Sequence, residues 1–156
     1  IVELFALLYE STPDINDVLS RVGLLNKKDA RFKELSGGQQ QRLSIAVALV
    51  NNPKILFFDE PTTGLDPQAR RNMWELIQSF KNDGKTIMLT THYMEEAEEL
   101  CDRVAIIDEG LIIKIGSPAS LIDELTKSGF KSSKKIRAAT LEDVFIQLTG
   151  KSLRED

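Results

Sequence analysis

Ile55-Leu56-Phe57-Phe58-Asp59-Glu60-Pro61 is the stretch that most restricts how this chain can fold. Four large apolar residues without alternation predict a strand buried on both faces, the usual condition in a parallel sheet covered by helices. Pro61 ends the ladder, because it has no N–H to give it. In open α/β sheets ligands collect beyond the carboxyl ends of the strands, so Asp59 and Glu60 stand where such a fold does its chemistry. Successive side chains leave a strand on opposite sides, and the two carboxylates can therefore face two different targets. A solvated acidic turn would use the same residues, so the flanks have to decide.

The decisive flank is Leu35-Ser36-Gly37-Gly38-Gln39. Ser36 and Gln39 form the S-x-x-Q capping box that opens a helix, continued by Leu43, Ala46, Val47 and Val50 at helical spacing. Two glycines in the first turn each cost helix stability, about 1 kcal/mol relative to alanine. Something must need the bare backbone. Open N–H groups, a serine hydroxyl and the positive end of a helix dipole suit an anion such as a phosphate; a helix that merely follows a loop is the plainer alternative.

Length and composition bound the rest. The 156 residues can bury one ordinary core, and nothing in them demands two independent domains. Acidic residues outnumber basic ones 24 to 20, which leaves no overall positive field to attract nucleic acid. Cys101 is the only cysteine, so an internal disulfide framework is excluded and a reducing compartment, the cytosol by default, is expected. No apolar stretch is long enough to span a bilayer, so a role at a membrane requires another subunit that does.

Further predicted elements surround the central strand. Ile1 to Tyr9 is apolar, helix-compatible and begins without an initiator methionine, as though cut. Thr12-Pro13 predicts a helix start, with Ile15, Val18, Leu19 and Val22 as the apolar stripe ending at Gly23; Asn26 to Glu34 is a polar connector. Asp66-Pro67 repeats the cap-plus-proline start for a helix carrying Met73, Leu76, Ile77 and Phe80 and stopping at Gly84. Thr86 to Thr91 is a second buried strand, making a parallel strand–helix–strand unit with His92 just past its end. A helix with Met94, Ala97 and Cys101 inward leads to strand Val104 to Asp108, a turn at Glu109-Gly110, and strand Leu111 to Ile115. Ser117-Pro118 caps a helix bearing Leu121, Ile122 and Leu125. Lys131 to Arg137 reads as a solvated basic linker, and Thr140 and Asp143 cap a closing helix with Leu141, Val144, Phe145 and Leu148.

Gly84-Lys85-Thr86 and Gly150-Lys151-Ser152 imitate the end of a phosphate-cradling P-loop. The full pattern G-x-x-x-x-G-K-[ST] also needs glycine at Ser79 or at Phe145, so both fail.

Leu35 to Arg42 (LSGGQQQR), Ile55 to Glu60, Gly64-Leu65-Asp66-Pro67 and Thr91-His92 together resemble the ATP-binding cassette (ABC) family, matching four of its motifs in order and at compatible spacing. The resemblance implies a P-loop NTPase-like α/β cassette, of which this chain corresponds to the part after the P-loop and the glutamine loop. It implies a helical subdomain over about 1–52, a catalytic core over 53–127, and a linker with a short helix over 128–156. By the same resemblance Ser36, Gly37, Gly38 and Gln39 form the signature motif that touches the γ-phosphate of ATP held by a facing cassette. Asp59 holds Mg²⁺, Glu60 is the general base, Asp66 belongs to the D-loop that crosses the dimer interface, and His92 is the switch histidine. The partners implied are a second cassette, head to tail, and a membrane-embedded permease, with no nucleic acid; the place implied is the cytoplasmic face of a membrane. Thr91 to Glu98, Leu100 to Arg103 and Thr140 to Gly150 are similar to drug, lipid and polysaccharide exporters. A soluble non-transport ABC ATPase, or a non-catalytic fragment, would share the main motifs. Without a P-loop the 156 residues alone are expected neither to bind nor to hydrolyse ATP.

Overall fold

The computed structural model describes residues 1–10, 13–128 and 140–150. The chain divides into two compact units, Ile1–Thr90 and Thr91–Asp156.

The first unit opens with α1 (Val2–Ala6) and α2 (Ile15–Arg21), both of which pack on α3 (Gly37–Leu49). α2 begins later than Thr12-Pro13 suggests: Asp14 is its cap and accepts from the Asn16 N–H at 2.8 Å, while Thr12 lies outside the described residues. A carboxylate one residue past the proline satisfies the free N–H groups directly. Val18, Leu19 and Val22 are buried as their spacing predicts. The polar connector forms two short 3₁₀ turns, Leu25–Lys27 and Phe32–Glu34. In α3 the buried positions are Ile45, Ala46, Leu49 and Val50, with Leu43 and Val47 half-buried. The stripe is thus rotated by about one residue from the predicted one.

β1 (Ile55–Asp59), α4 (Pro67–Asn82) and β2 (Thr86–Thr90) make the predicted parallel crossover, in register from Ile55 opposite Thr86 to Asp59 opposite Thr90. Met73, Leu76, Ile77 and Phe80 of α4 are all buried. Lys85, the false P-loop lysine, instead ties the strand entries together: its ammonium donates to the Asn52 Oδ1 at 2.8 Å and the Pro53 carbonyl at 2.7 Å. Burial, and secondarily the nearby Arg21, hold its pKa below the usual lysine value. Asp66 caps α4 by accepting from the Gln68 and Ala69 N–H groups at 3.0 and 2.9 Å, with Pro67 in the first turn.

The expectation of strands buried on both faces is corrected here. Leu56 and Phe58 are buried, but Ile55 is 52%, Phe57 74% and Met88 62% exposed, so one face of the β1–β2 pair is covered and the other is bare. An apolar run records that both faces suit burial, not that both are buried in this chain. Covering a side chain such as Phe57 would contribute about 1.5–3 kcal/mol. Most of α1 and the following residues to Tyr9 are exposed in the same way.

The second unit holds α5 (Met94–Leu100), the antiparallel pair β3 (Val104–Asp108) and β4 (Leu111–Gly116), α6 (Pro118–Lys127) and α7 (Leu141–Thr149). Glu109 and Gly110 both have positive φ, the mirror-image turn that suits a two-residue hairpin. Ala97, Ile106, Leu121, Leu125, Leu141 and Val144 form its core. In α5 Glu96, Ala97 and Leu100 are buried and Met94 packs against this core as predicted, while Cys101 is only half-buried just past the helix end. The Glu98 carboxylate reaches the start of α7, accepting from the Leu141 N–H at 2.6 Å. Residues 131–137, the predicted linker, lie outside the described residues. No helix among the described residues is long and apolar enough to cross a membrane.

Two outcomes follow from these packing features. The 156-residue chain by itself is expected to self-associate in sedimentation velocity, and Phe57→Glu with Met88→Lys to shift it toward monomer; a monodisperse parent chain would contradict the bare sheet face as cause. Asp66→Ala is expected to lower unfolding stability by about 1 kcal/mol in urea titration, while Asp66→Asn, which still caps, costs less.

Candidate functional site

The strand-end acids are held by backbone and hydroxyl groups of the neighbouring strand and turn. Because Asp59 lies opposite Thr90, the Thr90 hydroxyl reaches the Asp59 Oδ1 and donates to it at 2.5 Å. One residue on, the Glu60 N–H donates to the Thr90 carbonyl at 3.1 Å and approaches its Oγ1 at 3.2 Å. Glu60 has φ +46°, a left-handed conformation that costs a residue with a side chain about 1–2 kcal/mol. The chain turns at once: the Thr63 N–H donates to the Glu60 carbonyl at 3.2 Å and the Leu65 N–H to the Thr62 carbonyl at 3.2 Å. The Thr63 hydroxyl donates to the Glu60 Oε2 at 2.9 Å. Pro61 and Thr62 are buried beneath this turn, and the Thr62 Oγ1 has no hydrogen-bond partner among the described residues. Both carboxylates remain exposed. Two adjacent acids, each tied through one oxygen to a threonine hydroxyl, thus stand at the rim where a parallel pair ends.

The start of α3 is the second part of the site. Ser36 is exposed and extended (φ −64°, ψ 162°), and its hydroxyl accepts from the Gln39 N–H at 3.4 Å. The Gln39 Oε1 accepts from the Ser36 N–H at 3.0 Å, completing the predicted box. Among the described residues nothing accepts a hydrogen bond from the Gly37 or Gly38 N–H.

The two glycines serve different ends. A methyl group at Gly37 would meet open space. At Gly38 it would lie 3.5 Å from the Ala69 Cβ and 3.8 Å from a Leu65 methyl, so a longer side chain there would press on the start of α4. Bareness at Gly37 keeps approach to the helix tip open, whereas a methyl at Gly38 would sit in ordinary van der Waals contact with Leu65 and Ala69. The turn from Glu60 to Asp66 therefore links the acids to the residues that contact Gly38.

His92 belongs to the second unit. It is half-buried, its ring lies 4.1 Å from that of Tyr93 at a 38° tilt, and the Thr91 hydroxyl next to it accepts from the Tyr93 N–H at 3.0 Å. Thr63 and Ala69 are contacts that sequence reasoning missed, and Thr90 entered it only as part of the strand Thr86 to Thr91. A register between two strands is what pairs Thr90 with Asp59, and no local pattern encodes it.

Comparison with known proteins agrees with these motifs. The family described as ABC transporter matches residues 3–63. Nod factor export ATP-binding protein I of Burkholderia thailandensis is 54% identical over 115 residues, covering 74% of this chain and 38% of that protein. Its counterpart in Rhizobium etli is 52% identical over 111 residues, covering 71% of this chain and 35% of that protein. The chain therefore spans little more than a third of the length of these relatives. Among solved structures MJ1267, an ATP-binding cassette of an ABC transporter, aligns with a TM-score of 0.63 at 25% identity, over 71% of this chain and 47% of that one. The family match, the relatives and the solved cassette point the same way as the motifs: the chain belongs to the ABC transporter ATP-binding family.

Proposed function

We propose that the chain is the signature-and-acid portion of the ATP-binding subunit of an exporter, coupling ATP hydrolysis to transport through a separate membrane subunit. The observation that carries this is the joint presence of an open, capped helix tip at Ser36-Gly37 and the exposed Asp59–Glu60 pair on one folded unit. Export, rather than a soluble non-transport ATPase, is supported by relatives whose names state Nod factor export.

The residues suit a nucleotide and Mg²⁺. Among the described residues no group of three or more His, Cys, Asp or Glu could hold a metal by itself. That fits Mg²⁺, which commonly binds through one or two carboxylates, water and the substrate's phosphates. Asp59 is the residue proposed to hold it, with the Thr90 hydroxyl orienting the carboxylate. When bound, the ion neutralises charge that develops on the phosphate oxygens.

Glu60 is proposed to take the proton of the attacking water. Thr63 engages one oxygen of its carboxylate, which limits the orientations that side chain can adopt. Ser36, Gly37 and Gly38 are proposed to meet the γ-phosphate of a nucleotide held by a second, facing cassette, where helix-start N–H groups suit an anion. Gln39 holds Ser36 in place through its oxygen and keeps its amide N–H groups for that ligand. Asp66 supports the facing surface through its cap on α4, and His92 is proposed to contact the γ-phosphate. A membrane-embedded permease, to which the cassettes attach at the cytoplasmic face of the membrane, completes the proposed assembly.

In the full-length protein Glu60→Gln is expected to lower the hydrolysis rate by about 10²–10⁴-fold while ATP still binds. Steady-state turnover near that of the parent would remove Glu60 from the base role. Gly37→Asp sets a carboxylate at the open tip and is expected to abolish hydrolysis, with nucleotide affinity of the undimerised protein little changed; retained ATPase activity would overturn the role of the helix tip.

A further inference from the structure

The backbone entering Ser36 has few side chains to hold it, since Ser36 and Gly37 are both exposed and only Leu35 is buried. Gln40 supplies the missing hold. Its side-chain amide donates to the Phe32 carbonyl at 3.2 Å and to the Leu35 carbonyl at 3.1 Å. The Phe32 carbonyl belongs to the first residue of the 3₁₀ turn Phe32–Glu34 and the Leu35 carbonyl to the residue just after it. The Gln40 backbone is itself anchored in α3, its N–H donating to the Ser36 carbonyl at 2.8 Å. One primary amide therefore spends both its N–H donors joining the helix to the incoming chain, at the start of the turn and just past its end. Inside the turn, the Glu34 carboxylate accepts from the Arg31 N–H at 3.0 Å and keeps it closed.

We propose that Gln40 is a positioning residue for hydrolysis: it sets the angle at which the chain enters α3 and thereby where the Ser36 hydroxyl and the Gly37 N–H point. The inference rests on the function proposed above. Gln40 reaches the ligand only through Ser36, so its removal displaces the phosphate-facing groups without removing any of them. Misplacement on the order of 1 Å can cost about a hundredfold in rate. A merely structural glutamine would lower thermal stability and leave the turnover of folded protein alone.

The test uses the full-length protein and three substitutions. Gln40→Met keeps the length and loses both donors; Gln40→Glu keeps the shape and sets a carboxylate against two carbonyls; Gln40→Lys retains donors on a side chain of similar reach. Met and Glu are expected to lower kcat by about tenfold to a hundredfold with KM for ATP little changed, and Lys to recover most of the loss. Hydrogen exchange should quicken at the amides of residues 35–39 in the Met and Glu proteins and not in the Lys protein. Parent-like kcat in Gln40→Met, a Lys protein as impaired as the Met protein, or a loss that only follows the unfolded fraction would each overturn the proposal. Should the Met protein fail to fold, the Glu and Lys pair decides on the same criteria. If Glu60→Gln and Gly37→Asp abolish turnover while Gln40→Met does not, only the role of Gln40 fails; if those two variants remain active, the proposed function itself fails.

Discussion

The parallel register of β1 on β2 is the constraint on which the strand-end site depends. Asp59 faces Thr90 because Ile55 faces Thr86, and a slip of one residue would turn every side chain of β1 to the other face. From that register come both threonine contacts at the rim, the hydroxyl on Asp59 and the carbonyl that receives the Glu60 N–H. The second of these helps hold Glu60 in a conformation that an isolated glutamate avoids. Strain of this kind persists only where the surroundings over-determine it, and here β2 and the turn through Thr63 and Leu65 supply that. Residues far from the rim contribute through the same ladder. Lys85 fixes the other end of the two strands by joining Asn52 and Pro53 to the start of β2.

The helix start at Ser36 obeys a different logic. It is shaped by hydrogen bonds between close neighbours in sequence: Ser36 with Gln39, Arg31 with Glu34, Gln40 with Phe32 and Leu35. Such a segment can be well formed without burying much apolar surface, and that leaves its tip open to a ligand. Gly38 links this local device to the rest of the unit, because it lies beside Leu65 of the turn and Ala69 in the first turn of α4. The two parts of the site therefore meet through α4: the turn that begins with Glu60 ends at Asp66, whose carboxylate caps the helix that Gly38 touches.

Local signals carried most of the elements. Caps at Ser36, Asp66, Ser117 and Thr140 stand where sequence reading expects them, since a capping side chain and its N–H target lie within three residues. The buried stripe of α4 follows its spacing for the same reason. Asp14 in place of Thr12 is the exception, decided by which of two nearby oxygens reaches the first turn. Errors grow where burial depends on what lies opposite. The stripe of α3 turned toward Ile45 and Leu49, and the double-sided burial of β1 became single-sided with Phe57 in the open.

The sequence by itself determined the order of elements, the capped glycine start, the acid pair at the end of a strand and, through four motifs in register, the family. Each of those depends on residues close together in the chain, whose chemistry is complete before anything folds against them. Only the tertiary structure decided that Thr90 holds Asp59, that Thr63 holds Glu60 in a turn the motif alone does not specify, and that Gly38 faces Ala69. It also decided which strand face is covered. Those facts depend on register and on the approach of distant segments, which no pattern along a single strand or helix encodes.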